Sequence, residues 1–230
     1  MSVHYTCADA LPQHLSADAR KGDERTLKIL EEIADEEPEQ AECRARAIYE
    51  LGEVQLAAQD SEKAIELFNK ATELGDTLAP IRLGKFCRDG KMGFIQDGAK
   101  ALDYFTKGAA CGTPEGLKLA AEMYRYGQGG LKADGLKAIE FYEWLDELDD
   151  KEALLNIAEI YAEGCGDLKA DGGKALDVYA EIIRHGKFWA EVHRDFNVKT
   201  ERLEIYERAL KRATTIYRDG KGGGEVNLRG

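Results

Sequence analysis

The dipeptide Lys-Ala recurs at Lys63-Ala64, Lys100-Ala101, Lys137-Ala138 and Lys174-Ala175, each 37 residues after the last. Three residues ahead of every lysine stands an aspartate, Asp60, Asp97, Asp134 or Asp171, and one more step back lands on Asp23. An apolar or aromatic pair follows in the same frame as Leu67-Phe68, Tyr104-Phe105, Phe141-Tyr142 and Val178-Tyr179. Gly90, Gly127 and Gly164 hold a second register, and Gly75, Gly112 and Gly186 a third, with Asp149 in its remaining slot. A fixed period of this length excludes an ordinary globule, because each unit buries its apolar face only against its neighbours.

Each period reads as two helices. Across residues 115–151 the first runs from about Gly116 to Tyr126, with Leu117, Ala120, Ala121 and Tyr124 at helical spacing, and stops at Gly127. After the loop of residues 128–133, Asp134 offers its carboxylate to the free amides of the second helix. That helix sets Ala138, Phe141, Tyr142, Leu145 and Leu148 on one face. Residues 79–114 and 152–187 repeat the grammar. The expected fold is therefore all-α, a right-handed α/α solenoid of helix-turn-helix repeats with period 37. Helices should begin at Asp23, Asp60, Asp97, Asp134 and Asp171, and no sheet should form. The aspartates read as a capping series and the aromatics as inter-helix core, not as catalytic or stacking groups.

A first helix ending in Tyr-x-x-Gly, a glycine-bearing loop, then Asp-x-x-Lys-Ala and an aromatic pair resembles the Sel-one-like repeat, the long-loop relative of the tetratricopeptide repeat. Leu83-Gly84, Tyr161-Ala-Glu-Gly164 and Asp171-Gly-Gly-Lys-Ala175 carry the match. It gives three such repeats over 79–187, preceded by a more tetratricopeptide-like unit over 41–78, where Leu51-Gly52 stands closer to its aspartate. Residues 1–40 read as N-terminal capping helices, and 188–230 as C-terminal capping helices with a glycine-rich tail. Past Gly186 the frame breaks. A short helical stretch is expected from Phe188 to about Phe196, then a helix from Thr200 to Asp219.

Net charge is −12 over 230 residues, and residues 1–60 carry most of the excess. Such an end repels phosphate backbones, so nucleic acid is excluded as a ligand there. No apolar stretch approaches the ~20 residues of a membrane span, and no secretory segment opens the sequence. Cys7, Cys43, Cys87, Cys111 and Cys165 lack zinc-site spacing and read as buried thiols, which points to the cytoplasm. His185 and His193 stand near Glu191 and Asp195 but read as surface residues, and no catalytic motif, metal set or cofactor fingerprint is present.

The resemblance implies a scaffold or adaptor that binds a partner protein, and no enzyme. A dedicated inhibitor or immunity protein for one toxic enzyme is the alternative, and a hydrolase the weakest reading. In such an array the first helices line a concave groove. Turned away from their core side are Lys85 and Arg88, then Glu122 and Arg125, then Glu159 and Glu163. At 37-residue spacing Lys85, Glu122 and Glu159 should form one ladder, and Arg88 and Arg125 a second. These six are the expected partner-binding residues.

Overall fold

The structure, a computed structural model, describes residues 24–35, 41–150, 152–192 and 201–219. Among them are ten α-helices: α1 Glu24–Asp35, α2 Ala41–Ala57, α3 Ser61–Glu73, α4 Leu78–Asp89, α5 Gly98–Ala110, α6 Pro114–Tyr126, α7 Gly135–Glu147, α8 Ala153–Glu163, α9 Gly172–Val192 and α10 Glu201–Arg218. A 3-10 turn at Gln128–Gly130 and one isolated bridge between Cys165 and Leu168 are the only other regular features described. Among the described residues the fold is all-α, with α1 to α5 packed on one another in chain order, and likewise α7 to α10. It divides into two compact units, residues 1–116 and 117–230.

The repeated aspartates start the second helices as expected. The Oδ1 atoms of Asp60, Asp97, Asp134 and Asp171 accept from the backbone amides of Lys63, Lys100, Lys137 and Lys174 at 3.0–3.1 Å. Asp23 lies outside the described residues. The aspartates also close the loops behind them. The amides of Asp97, Asp134 and Asp171 donate to the carbonyls of Cys87, Tyr124 and Tyr161, near the ends of the preceding helices. Asp60 instead donates to Gln55, because the connection before it is only residues 58–60.

The aromatic pair supplies the core. Phe68, Phe105 and Tyr179 are fully buried, and Tyr142 nearly so. In the first unit the rings sit directly on glycines of the neighbouring helix: a methyl group on Gly84 would meet Phe105 at 2.5 Å, and one on Gly52 would meet Phe68 at 2.7 Å. In the second unit the equivalent slots hold Ala121 and Ala158, which join the clusters around Tyr142 and Tyr179.

Three expectations need correction. The helix starting at Gly172 does not stop at Gly186 but runs on to Val192. Glycine permits the left-handed stop without enforcing it. After Gly75 and Asp149, by contrast, Asp76 accepts the first amides of the next helix and Asp150 the amide of its N-cap Glu152, and Lys187 offers no such oxygen. Leu148, expected in the core, ends α7 with 58% of its surface exposed. The cysteines differ among themselves: Cys87 is buried and free, Cys111 exposed, Cys165 half-buried, and Cys43 is disulfide-bonded. Cys7, His193, Thr200 and the glycine-rich tail lie outside the described residues, as does most of the N-terminal cap.

Candidate partner-binding surface

The residues that recur most strictly are engaged within the protein. The lysine of Asp-x-x-Lys reaches back over an aromatic ring: Lys137 lies 5.2 Å from the centre of Tyr124, Lys174 5.3 Å from Tyr161, and Lys100 5.4 Å from Phe94. Such a contact contributes about 0.5–1 kcal/mol at an exposed site. In the sequence alone these lysines mark only the register. The signal for their role was present, since a tyrosine stands before the loop glycine in both repeats of the second unit.

On the first helices of the first unit, charges gather into a half-buried network. The Arg82 guanidinium on α4 donates to both carboxylate oxygens of Glu53 on α2, Nε to Oε1 at 2.6 Å and Nη2 to Oε2 at 2.7 Å. Glu53 is 6% exposed, and this bidentate pair is what makes its burial tolerable. Asp76 is also buried. Its Oδ1 accepts from the amides of Leu78 and Ala79 at 2.9 and 2.8 Å, and its Oδ2 lies 3.5 Å from Arg46. Burial pushes the Asp76 carboxyl above the usual range, against the pull of Arg46 and the two amides. Burial and Glu53 together push the Tyr49 phenol far up. None of this network was singled out in the sequence; Glu53 and Asp76 are separated along the chain, and only helix packing joins them.

The second unit ties its first helices together differently. Arg125 on α6 donates to Asn156 Oδ1 at 2.8 Å and to Glu159 Oε2 at 3.0 Å, both on α8. Both charged side chains are mostly covered. The Arg125 carbonyl also accepts from Cys165 Sγ at 3.1 Å. Tyr142 is pushed up to about 12 by burial, an effect that the hydrogen-bonded Arg125 guanidinium partly offsets.

The six expected residues therefore fall into distinct settings. Lys85 pairs with Glu115 at 2.8 Å, with both side chains partly exposed. Arg88 turns to its neighbour Asp89 at 2.7 Å, and with Lys91 it holds that carboxyl below its usual range. Glu122 is half-buried with no ion pair among the described residues. Arg125 and Glu159 bind each other, and exposed Glu163 lies 3.8 Å from Arg212 of α10. No group of metal-ligating side chains gathers among the described residues, and no described helix is long and apolar enough to cross a membrane.

Comparison with known proteins agrees with this geometry. The Sel1 repeat model matches residues 45–76, 79–113, 117–143 and 151–177, including the short-loop unit that looked closer to a tetratricopeptide repeat. A Sel1 repeat protein from Oxalobacter formigenes superposes with a TM-score of 0.62 at 18% identity, over 96% of this chain and 58% of that one. A protective antigen of uropathogenic Escherichia coli strains, described as having an SLR fold, superposes with a TM-score of 0.53 at 23% identity, over 85% of this chain and 44% of that one. The chain thus spans about half the length of these structures, and the likeness is one of fold. None of the curated proteins matches it in sequence. With four repeats matched over more than half of its length, the chain belongs to the Sel1 repeat family, whose members generally act as protein-interaction scaffolds.

Proposed function

We propose that this protein is an adaptor that holds a partner protein against its first helices, on the side that the sequence assigns to a groove. The observation that carries this reading is the fixed charged surface of those helices. Glu53–Arg82 in one unit and Arg125–Glu159 in the other join neighbouring first helices through hydrogen-bonded pairs. Paired in this way, the surface is organised before a partner arrives, which lowers the ordering cost of binding. Lys85, Arg88, Glu122 and Glu163 meet the partner directly. Arg125 and Glu159 hold α6 to α8.

The test is charge reversal at two surface groups: Lys85, whose pair with Glu115 is partly exposed, and Glu122, which has no ion pair among the described residues. Lys85→Glu with Glu122→Lys leaves the net charge unchanged and should weaken partner capture at least tenfold, mainly through slower association. Unchanged capture at low salt overturns the surface assignment. The number of captured proteins separates the two binding classes: several exchangeable partners mark an adaptor, one tightly held enzyme a dedicated inhibitor. Compartment is tested at Cys43, since disulfides persist in oxidising surroundings. Alkylation after acid quenching should find Cys43 reactive if the protein works in the cytoplasm, as the sequence suggests, and blocked if it works in an oxidising compartment.

A further inference from the structure

On their outward face the second helices α3, α5 and α9 carry charged residues at a position where α7 carries an indole. Six residues past each capping aspartate stands an acid: Glu66, Asp103, Glu140 and Asp177. Four residues later the frame holds Lys70, Lys107, Trp144 and Glu181. On α5 the Asp103 carboxylate meets Lys107 at 2.8 Å, the usual i,i+4 pair of a solvated helix face. On α7 an indole replaces that lysine, and Trp144 is 43% exposed. Leu136, where the other repeats carry Glu62, Ala99 and Gly173, is 63% exposed. Leu136, Glu140 and Trp144 thus form a single row along α7, and the C-cap Leu148 stands four residues beyond it.

Beside that row lie Glu143 and Glu147, both exposed. Glu140, Glu143 and Glu147 have no ion-pair partner among the described residues. Trp144 is not loose: its ring stands edge-on to Phe141 at 5.0 Å, and Phe141 stacks on Tyr124 at 5.8 Å. This is an apolar ridge with three carboxylates unpaired among the described residues, and its indole stands where the other repeats carry Lys70, Lys107 and Glu181.

We infer that this ridge on α7 docks a basic amphipathic helix of another protein, a segment with an apolar stripe flanked by lysine or arginine. Apolar anchors at helical spacing would lie against Leu136, Trp144 and Leu148. The flanking cations would take the place that Lys107 holds beside Asp103. A second copy of this chain meeting the ridge with its own ridge would set carboxylates against carboxylates, which opposes a symmetric dimer there. The site is on a second helix and stands apart from the first-helix surface proposed above.

The full chain is tested by calorimetry against three synthetic helices of about 18 residues. One carries a leucine stripe among lysines, the second the same stripe among glutamates, and the third has the lysines with glutamine in place of leucine. The parent should bind the first at least tenfold more tightly than either of the others. Leu136→Gln with Trp144→Gln keeps the charge unchanged and should remove that preference, with helical circular dichroism retained. Trp144→Lys, which installs the residue of two sister repeats, should do the same in a fold that already accepts lysine there. Glu140→Gln with Glu143→Gln should weaken binding in a salt-dependent way. The inference fails if the parent shows no preference among the helices, or if the substituted chains bind like the parent. It also fails if sedimentation shows a parent dimer that Leu136→Gln with Trp144→Gln abolishes, because the occupant is then a second copy.

Discussion

The two units solve the same problem with one arginine each, and they solve it in opposite directions along the chain. In the first unit Arg82 reaches back to Glu53, on the first helix of the preceding repeat. In the second unit Arg125 reaches forward to Asn156 and Glu159, on the first helix of the following repeat. The surroundings differ as well. Arg82 sits beside Tyr49 and the buried Glu53, whereas Arg125 sits beside Tyr142 and a neutral amide. A repeat frame fixes where helices begin and which residues make the core. It leaves open which charges pair, because pairing depends on the one acid or amide that each repeat happens to place within reach.

The sharpest way to break the comparison is to remove the core beneath each tie. Phe68→Ala in the first unit and Tyr142→Ala in the second should each cost about 3–5 kcal/mol, as expected for a buried ring. Hydrogen exchange should place the larger loss of protection in the unit that carries the substitution, since a repeat interacts mainly with its neighbours. Equal loss in both units would mean that they unfold as one.

Next come the arginines themselves. Arg82→Met leaves Glu53 buried and uncompensated, which should cost about 2 kcal/mol, below the full penalty for a broken buried pair because Arg82 is partly exposed. Arg125→Met should cost less, about 1 kcal/mol, since Glu159 is less deeply covered than Glu53. Chemical denaturation of both variants measures the difference, and a reversed order would contradict the comparison.

A smaller effect separates two residues that the frame treats as equal. Tyr142 and Tyr179 stand 37 apart and are both pushed up to about 12 by burial. The Tyr142 hydroxyl bonds to Arg125, but the buried Tyr179 hydroxyl has no hydrogen-bond partner among the described residues. Tyr142→Phe should cost about 1 kcal/mol, while Tyr179→Phe should be neutral or stabilising.

The fold was legible because its signals are local and repeated. Four capping aspartates, the loop glycines and the aromatic pairs each state a conformation without help from distant residues. The charged surface was only partly legible. Arg88 and Arg125 looked like one ladder, but Arg88 closes on the next residue and Arg125 on a helix more than 30 residues away. Leu148 fitted the apolar spacing of its helix yet lies in solvent, because α7 ends in the turn beneath it. Gly186 matched its frame but lacked the capping oxygen after it that would have ended the helix.

The smallest effect is a pH dependence in the first unit alone. Burial raises the Asp76 pKa, so the folded state holds that proton more tightly than the unfolded chain does. The stability this group contributes is fully present below its unfolded pKa and is lost as pH rises through the folded value. Asp76→Asn keeps an oxygen for the Leu78 and Ala79 amides but cannot ionise. The stability difference between variant and parent should therefore move in the variant's favour from about pH 4 to pH 7. A shift in the parent's favour would mean that attraction to Arg46 outweighs desolvation.

The central claim is that a partner is held on the first helices, and site-specific photocrosslinking in cells tests it most directly. A crosslinking side chain placed at Lys85 or Glu122 should trap a discrete partner band, and the same group at Glu62, on the outward face of α3, should trap none. Bands of equal strength from all three positions, or from Glu62 alone, would contradict the account.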